Sequence, residues 1–330
     1  MAQEAEGRQG GGKAAGGRLT RGVRHPTPMS MLKRLKRRAL PLFLMPLAAC
    51  ASAETRPPAA AADARPAMWK VSDADTTIYL FGTIHLLPQG LDWRSAALEQ
   101  ALAGADELVL EVEDVGDPLA AARVMMKLGM SPGLPPIAQR VPAEKRAALK
   151  AMIAESGVPE PVLDRMETWA AGLSLLGVTF KRLGLDPELG VETQIEAPFK
   201  KSGRPVTGLE DVEEQFGFFD TLSEDAQRAF LVSTLDDGEE AKKQFKAMLD
   251  AWASGNVEGV AATFNDETAL SPELRTKLLG ARNARWADWL DKRMEKPGTV
   301  FVAVGAGHLA GRDSVQELLR KHGHKAKRVQ

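Results

Sequence analysis

Two stretches of the chain end an apolar run in the same way. In LFGTIHLLP (residues 80–88) Gly82 is followed three positions later by His85, and in VFVAVGAGHLAG (300–311) Gly305 is followed by His308. Each run reads as a buried strand, and ligand sites in α/β sheets gather beyond the carboxyl ends of strands. A glycine there permits a tight backbone path, so the histidine can turn over the sheet edge. Two neutral imidazoles brought together could hold a divalent metal. A single histidine after a strand is more often a satisfied core or capping residue than a ligand; two in the same context bring the readings level, and spacing takes the choice no further.

Carboxylates occupy matching positions. LVLEVED carries Glu111 and Glu113 on one face of a strand by its two-residue period. Glu111 follows three apolar residues and must be paired or stand at the sheet edge; Glu113, further out, reads as solvated. In RPVTGLE (204–210) Glu210 also directly follows an apolar run. Four strands are thus expected to end in His85, Glu111, Glu210 and His308. Two histidines with one or two carboxylates make a hard-to-borderline metal site, leaving a carboxylate as general base. Each glutamate taken alone reads better as a helix N-terminal charge or a surface residue.

Other chemistries lack support. The chain has no H-E-x-x-H, no phosphate-binding G-x-x-x-x-G-K-[ST] and no G-x-S-x-G elbow. The remaining histidines are His25, in the N-terminal extension, and His322 and His324, in a charged C-terminal stretch where solvation is expected. LLGARNARWADWL (278–290) is amphipathic, with Arg282 and Asn283 adjacent; on its own it reads as a helix with an exposed basic patch and Trp286 and Trp289 turned inward.

The elements that must position these groups follow from composition and patterning. The chain has 330 residues, 44% hydrophobic and 26% charged, as a soluble globular protein does. Ten of its 43 basic residues but only two of its 44 acidic ones fall in residues 1–53, leaving 33 basic against 42 acidic beyond. That acidic balance argues against nucleic acid as a partner. Residues 29–53 carry a basic segment, Lys33 to Arg38, then an apolar run from Ala39 to Ala49 that is too short to span a bilayer. They read as an export signal. Its end, Leu47-Ala48-Ala49-Cys50, resembles the lipobox of bacterial lipoproteins, with the single cysteine of the chain, Cys50, as the lipidation site; cleavage after Ala53 is the rival reading. The Gly-rich residues 1–28 read as a start-site extension, and the Pro/Ala-rich residues 54–67 as a flexible tether. An exported, periplasmic or cell-envelope lipoprotein of a bacterium is expected, with the membrane as partner through its lipid.

A folded domain is expected over 68–330. MWKV and TTIYLF flank the polar SDAD as a hairpin. A helix is expected over 93–105, and a buried strand over 107–112. Helices fill most of 118–200 and 211–295, a further core strand lies near 300, and a helix and an edge strand close the chain. This is an α/β fold: a central mixed sheet built from N- and C-terminal strands, carrying a large helical insertion.

From about residue 68 to the end the chain resembles the TraB/GumN family, most closely its exported GumN-like branch. LFGTIHLLP, ADELVLEVE, GRPVTGLEDVEEQ, LLGARNARWADWL and VFVAVGAGHLAGRDSVQELLRKHG occur in the family's order. That family is grouped with the Tiki metalloproteases, the erythromycin esterases and the ChaN-like haem-binding lipoproteins, which implies an erythromycin esterase/ChaN-like arrangement. The resemblance makes His85 and His308 the motif histidines and metal ligands, with Glu111 as the acidic residue of the next strand. It makes Glu210 the glutamate of Gly-Leu-Glu, and Arg282 and Asn283 the Arg-Asn pair. Glu192 departs from the pattern, standing where an aspartate is expected. Implied is hydrolysis of a peptide or related acyl bond with a divalent ion (Mn, Co, Zn or Fe). In that chemistry Arg282 would meet the developing oxyanion and Asn283 would orient substrate or a ligand side chain. The alternative is a binding lipoprotein that holds haem or a metal without turnover.

Overall fold

A computed structural model describes residues 64–112, 118–235, 238–264 and 271–330. Six strands form one sheet: β1 (Met68–Ser72), β2 (Thr76–Thr83), β3 (Glu107–Val112), β4 (Val206–Glu210), β5 (Gly298–Gly305) and β6 (Lys327–Arg328). Their order is β4-β3-β5-β2-β1-β6. β4, β3, β5 and β2 run parallel, while β1 pairs antiparallel with both β2 and β6. The sheet is therefore mixed, as expected, with a parallel centre and an antiparallel flank.

Alternation along the central strands explains why helices cover both faces. Phe81, Leu108, Leu110, Phe301 and Ala303 point to one side, where they meet Leu98 and Leu102 of helix Ala96–Gly104 and Ile195 and Phe199 of helix Val191–Ser202. Ile78, Leu80, Val109, Val300, Val302 and Val304 point to the other, against Trp286 and Leu290 of helix Ala281–Arg293 and Leu319 of helix Val315–Lys321. Strands buried on both faces give the unbroken apolar runs seen in the sequence.

The helical bulk is divided in two. β4 enters the sheet between residues 118–202 and 212–293, so the insertion is a pair of crossovers, β3 to β4 and β4 to β5. The first block has a core of its own, in which Trp169, Leu175, Leu149 and Leu163 pack with Leu231 of the second block.

Residues 64–67, the end of the expected tether, pack on the domain: Ala64 is buried and Arg65 N–H donates to the Ala253 carbonyl at 2.7 Å. The start-site extension, the signal with Cys50 and the rest of the tether lie outside the described residues. Among those described, no helix is long and apolar enough to cross a membrane.

Register sets where the chemistry sits. Thr83 pairs with Gly305, Leu110 with Ala303, and Val112 with Glu210. The carboxyl ends of four parallel strands thus lie along one edge, and His85, Glu111, Glu210 and His308 are on it or just past it.

Candidate functional site

Arg282 is the hub of that edge. Its Nη2 donates to Glu111 Oε2 at 2.8 Å, its Nε lies 3.0 Å from both oxygens of Glu210, and its Nη1 stands 3.2 Å from His308 Nε2. A π-helical turn over Thr276–Gly280 precedes it, closed by Ala281 N–H donating to the Thr276 carbonyl. The wide turn shifts the phase of the helix just before Arg282 and Asn283. Both residues are buried, so the basic patch faces the sheet edge and not solvent. Trp286, one turn on, is buried with them, while Trp289 is only half-buried.

His308 is held from both sides. Its Nδ1–H donates to Asn283 Oδ1 at 2.5 Å, and Asn283 Nδ2 in turn donates to the Asp313 carbonyl at 2.7 Å, which fixes the amide's direction. The Nε2 lone pair is therefore the one facing Arg282 and, at 3.4 Å, Glu111 Oε1. Trp286 packs on the ring with centroids 4.3 Å apart. Burial, reinforced by the charge of Arg282, overrides Glu111 and lowers the His308 pKa to about 3, so the ring is neutral.

His85 differs. Its side chain is 62% exposed at the mouth of the site, and its Nδ1 lies 2.7 Å from Glu192 Oε1. Thr83 Oγ1 donates to the same Glu192 oxygen. The Glu192 charge raises the His85 pKa to about 9. Glu192 is buried and kept ionised: burial works against its charge, but His85 and Thr83 outweigh it. Its helix, Val191–Ser202, approaches so closely that a side chain at Gly190 would overlap the His85 carbonyl, and Val191 N–H donates to the Ile84 carbonyl at 3.1 Å.

Glu111 closes the group. Its Oε1 accepts from Gly305 N–H at 2.6 Å. Burial opposes its charge, but His308, Arg282, His85 and the Gly305 amide bring its pKa down to about 2. A Cβ on residue 305 would stand 3.0 Å from Glu111 Oε1 and 3.7 Å from both His308 Cδ2 and His85 Nε2. The three predicted ligands therefore surround one small space that only glycine leaves open. The glycines of the two Gly-x-x-His stretches act by this close approach and not by unusual backbone angles. Neither has a positive φ, and Gly82 leaves room for Ala306, whose Cα would be 3.0 Å from an added Cβ.

Glu210 lies behind Arg282. Its side chain is fully buried and accepts from Arg282, from Arg285 at 2.8 Å and from Trp286 Nε1 at 3.1 Å. Burial raises its pKa against the pull of Arg282. With its oxygens so engaged and no face on the cavity described below, it anchors the guanidinium; the geometry does not offer it as a base. Asn283 likewise orients a histidine ring. Glu113 lies outside the described residues. His322 and His324 are not free in solvent: they pair with Asp288 and Asp291 at 2.8–3.6 Å, tying the C-terminal segment to helix Ala281–Arg293.

A cavity of about 470 Å³ opens onto these groups. His85, Glu111, Arg282 and His308 are at its polar end, and Phe180, Phe216, Phe219, Phe245 and Met248 are among its walls. Sequence reasoning left the apolar wall unread and named Glu192 only as a departure from the family pattern, without its partners His85 and Thr83. Glu192 is one position from the buried stripe Val191, Ile195, Phe199, and a carboxylate beside such a stripe was the available signal.

As for a metal, both imidazoles have Nδ1 fixed by an oxygen of another side chain and Nε2 left for a ligand, the arrangement that orients histidines on metals. The open space beside Gly305 and the nearby Glu111 carboxylate also suit a divalent ion. Arg282 Nη1 competes for the His308 lone pair. In this geometry, no group of three His, Cys, Asp or Glu among the described residues stands ready to close on a cation.

Comparison with known proteins adds a family. The model of the TraB/PrgY/gumN family matches residues 67–328. The uncharacterised protein YbaP of Escherichia coli (strain K12) is 26% identical over 242 residues, covering 73% of this chain and 87% of that protein. An uncharacterised protein of Treponema pallidum (strain Nichols) is 21% identical over 306 residues, covering 85% of this chain and 88% of the other. No solved structure matches the chain.

Proposed function

The chain belongs to the TraB/PrgY/gumN family, and we propose that it is an exported, divalent-metal-dependent hydrolase of peptide or related acyl bonds. The observation that carries this reading is the convergence of His85 Nε2, His308 and Glu111 Oε1 on the space beside Gly305. In this reading the sheet and its helices are an erythromycin esterase/ChaN-like arrangement.

His85 and His308, with Glu111 between them, are the residues that would hold the ion. Bound there, a divalent ion supplies Lewis acidity and a water of lowered pKa. The chain's own groups do the rest. Glu192 and Asn283 hold the two imidazoles by Nδ1, which fixes each ring's orientation and, once His85 has lost the proton that Glu192 favours, leaves Nε2 free on both. Among the described residues Glu111 is the only carboxylate lining the cavity; where the two imidazoles alone hold the ion, it is the group that would take the proton of an attacking water. Arg282, anchored by Glu210 and with its N–H groups engaged by Glu111, Glu210, His308 and the Leu278 carbonyl, would meet a developing oxyanion at the polar end with its positive charge. Burial beside the apolar walls strengthens the charge interactions of Arg282, Glu111 and His308, while His85 stays open to solvent at the mouth.

A screen of chromogenic esters and peptide amides with manganese, cobalt, zinc and iron tests the reading. Turnover that needs an added ion and disappears in His308→Ala supports it, and no turnover with any ion overturns it.

One observation favours a second reading. Phenylalanine and methionine walls beside two histidines also suit haem, held by an imidazole without catalysis. A Soret band on titration with haem, abolished in His85→Ala, would identify it. The anchor is part of the proposal too: lipid on Cys50, supported by the pattern of residues 29–53, is tested by metabolic acyl labelling of wild type and Cys50→Ser.

A further inference from the structure

We propose that the substrate carries a long or bulky uncharged hydrocarbon group next to its reacting carbonyl, and that the wall built by Phe216, Phe219, Phe245 and Met248 receives it. The inference deepens the hydrolase reading and rests on it. Of the eleven phenylalanines in the chain, five line this one cavity, while Phe81, Phe199 and Phe301 serve the buried core. The wall is built in pairs. Phe216 and Phe219 are three apart on helix Val212–Asp220, and Phe245 and Met248 three apart on helix Gly238–Ala253, so each helix turns one face to the cavity. Asp211 caps the first helix immediately after Glu210, accepting from Glu214 N–H at 2.7 Å, which couples the aromatic wall to the sheet edge. Trp169 backs Phe216 and Phe219, with ring centroids 5.8 and 6.1 Å away.

The wall residues are half-buried because nothing in the described chain fills the space before them. At about 470 Å³ that space is the size of a small-molecule site. Among the described residues away from the polar end, Gln215 is the one polar side chain on the wall. A charged substrate group lodged there would lose its hydration with no partner in return. A hydrocarbon group gains by each methylene it buries, which corresponds to about fourfold in affinity per methylene.

The test is equilibrium binding to the full chain, by calorimetry, of straight-chain carboxylates from acetate to decanoate. 3-Phenylpropanoate and succinate accompany them, to separate an aromatic group from a straight chain and to probe exclusion of charge. Affinity is expected to climb about two- to fourfold per methylene beyond butanoate, with succinate no better than butanoate. Met248→Trp, which fills the cavity, should flatten the series above butanoate and leave the short acids unchanged. Phe245→Ser should lower the slope without filling. If 3-phenylpropanoate exceeds hexanoate, the natural group is aromatic; the reverse makes it aliphatic, and either agrees with the proposal. A flat series in the wild type, or equal binding of succinate and octanoate, overturns it. The readout is binding of product-like acids, so an absence of turnover leaves the series intact. Failure of the hydrolase reading is thereby distinguished from failure of this one.

Discussion

The Nδ1 atom of His85 lies 2.7 Å from Oε1 of Glu192, a residue 107 positions further along the chain. The pair joins the first strand-end histidine to the start of a helix whose one mark in the sequence is Glu192, standing where the family pattern expects an aspartate. It also sets the charge of the exposed imidazole, whose pKa rises to about 9 through the neighbouring carboxylate.

That relationship gives a pH prediction for the metal-free protein. The folded pKa of His85 lies above its unfolded value, so the pair's contribution to stability is complete below about pH 6.5 and is lost as pH rises through about 9. Imidazole NMR should find the His85 ring titrating well above the ordinary histidine range. Glu192→Gln should return it towards the ordinary range and flatten stability between pH 6.5 and 9. A ring must be neutral to hold a metal, so ion affinity should also increase with pH over that window. A His85 signal that titrates normally in the wild type would contradict the pairing.

Arg282 carries the second prediction. Arg282→Ala leaves Glu111 and Glu210 buried without their shared cation, a loss on the order of 3–5 kcal/mol. Arg282→Ala combined with Glu210→Gln should recover part of it, because a buried charge left, among the described residues, with Arg285 as its one cation is removed. Urea unfolding of the two variants decides the matter, and equal stabilities would show that Glu210 does not depend on Arg282.

How much of this was legible in the sequence depends on distance along the chain. His85, Glu111, Glu210 and His308 each follow an apolar strand directly, so strand periodicity alone placed them along one edge. Arg282 was readable too, since it precedes Trp286 by four and Leu290 by eight and so shares their buried face. Read as an exposed patch, it was misjudged because the buried carboxylates that compensate it come from β3 and β4. Glu192 follows no strand; its place in the family pattern and beside a buried helix stripe did not show that it partners His85. Its partner is set by a backbone approach through Gly190 that no local pattern encodes. The cavity was equally hidden, because FGFF in helix Val212–Asp220 reads as core until the helices are seen to leave space before it.

Gly305 carries the third prediction. An added methyl group would press on Glu111 Oε1, which the residue's own amide and Arg282 already hold. Gly305→Ala should cost about 1–3 kcal/mol in stability and reduce ion-dependent activity at least about tenfold. Gly82→Ala, which presses on Ala306 and not on the carboxylate, should affect stability more than ion binding. Thermal melts and ion titrations on both variants separate the two roles.

Asn283 carries the fourth. Asn283→Leu keeps approximate volume but removes the acceptor that fixes His308 Nδ1–H. Ion affinity should fall by about 10–100-fold, the usual consequence of losing a partner behind a histidine ligand. A loss of fold without any change in affinity per folded molecule would contradict that role.

The most direct measurement is the metal content of the purified protein by elemental analysis, after incubation with manganese, cobalt, zinc or iron. His85→Ala and His308→Ala should be analysed alongside it. Close to one equivalent of a divalent ion in the wild type, lost in both folded variants, is the result predicted here. No bound ion under any of these conditions, or an ion retained by both variants, would contradict the account.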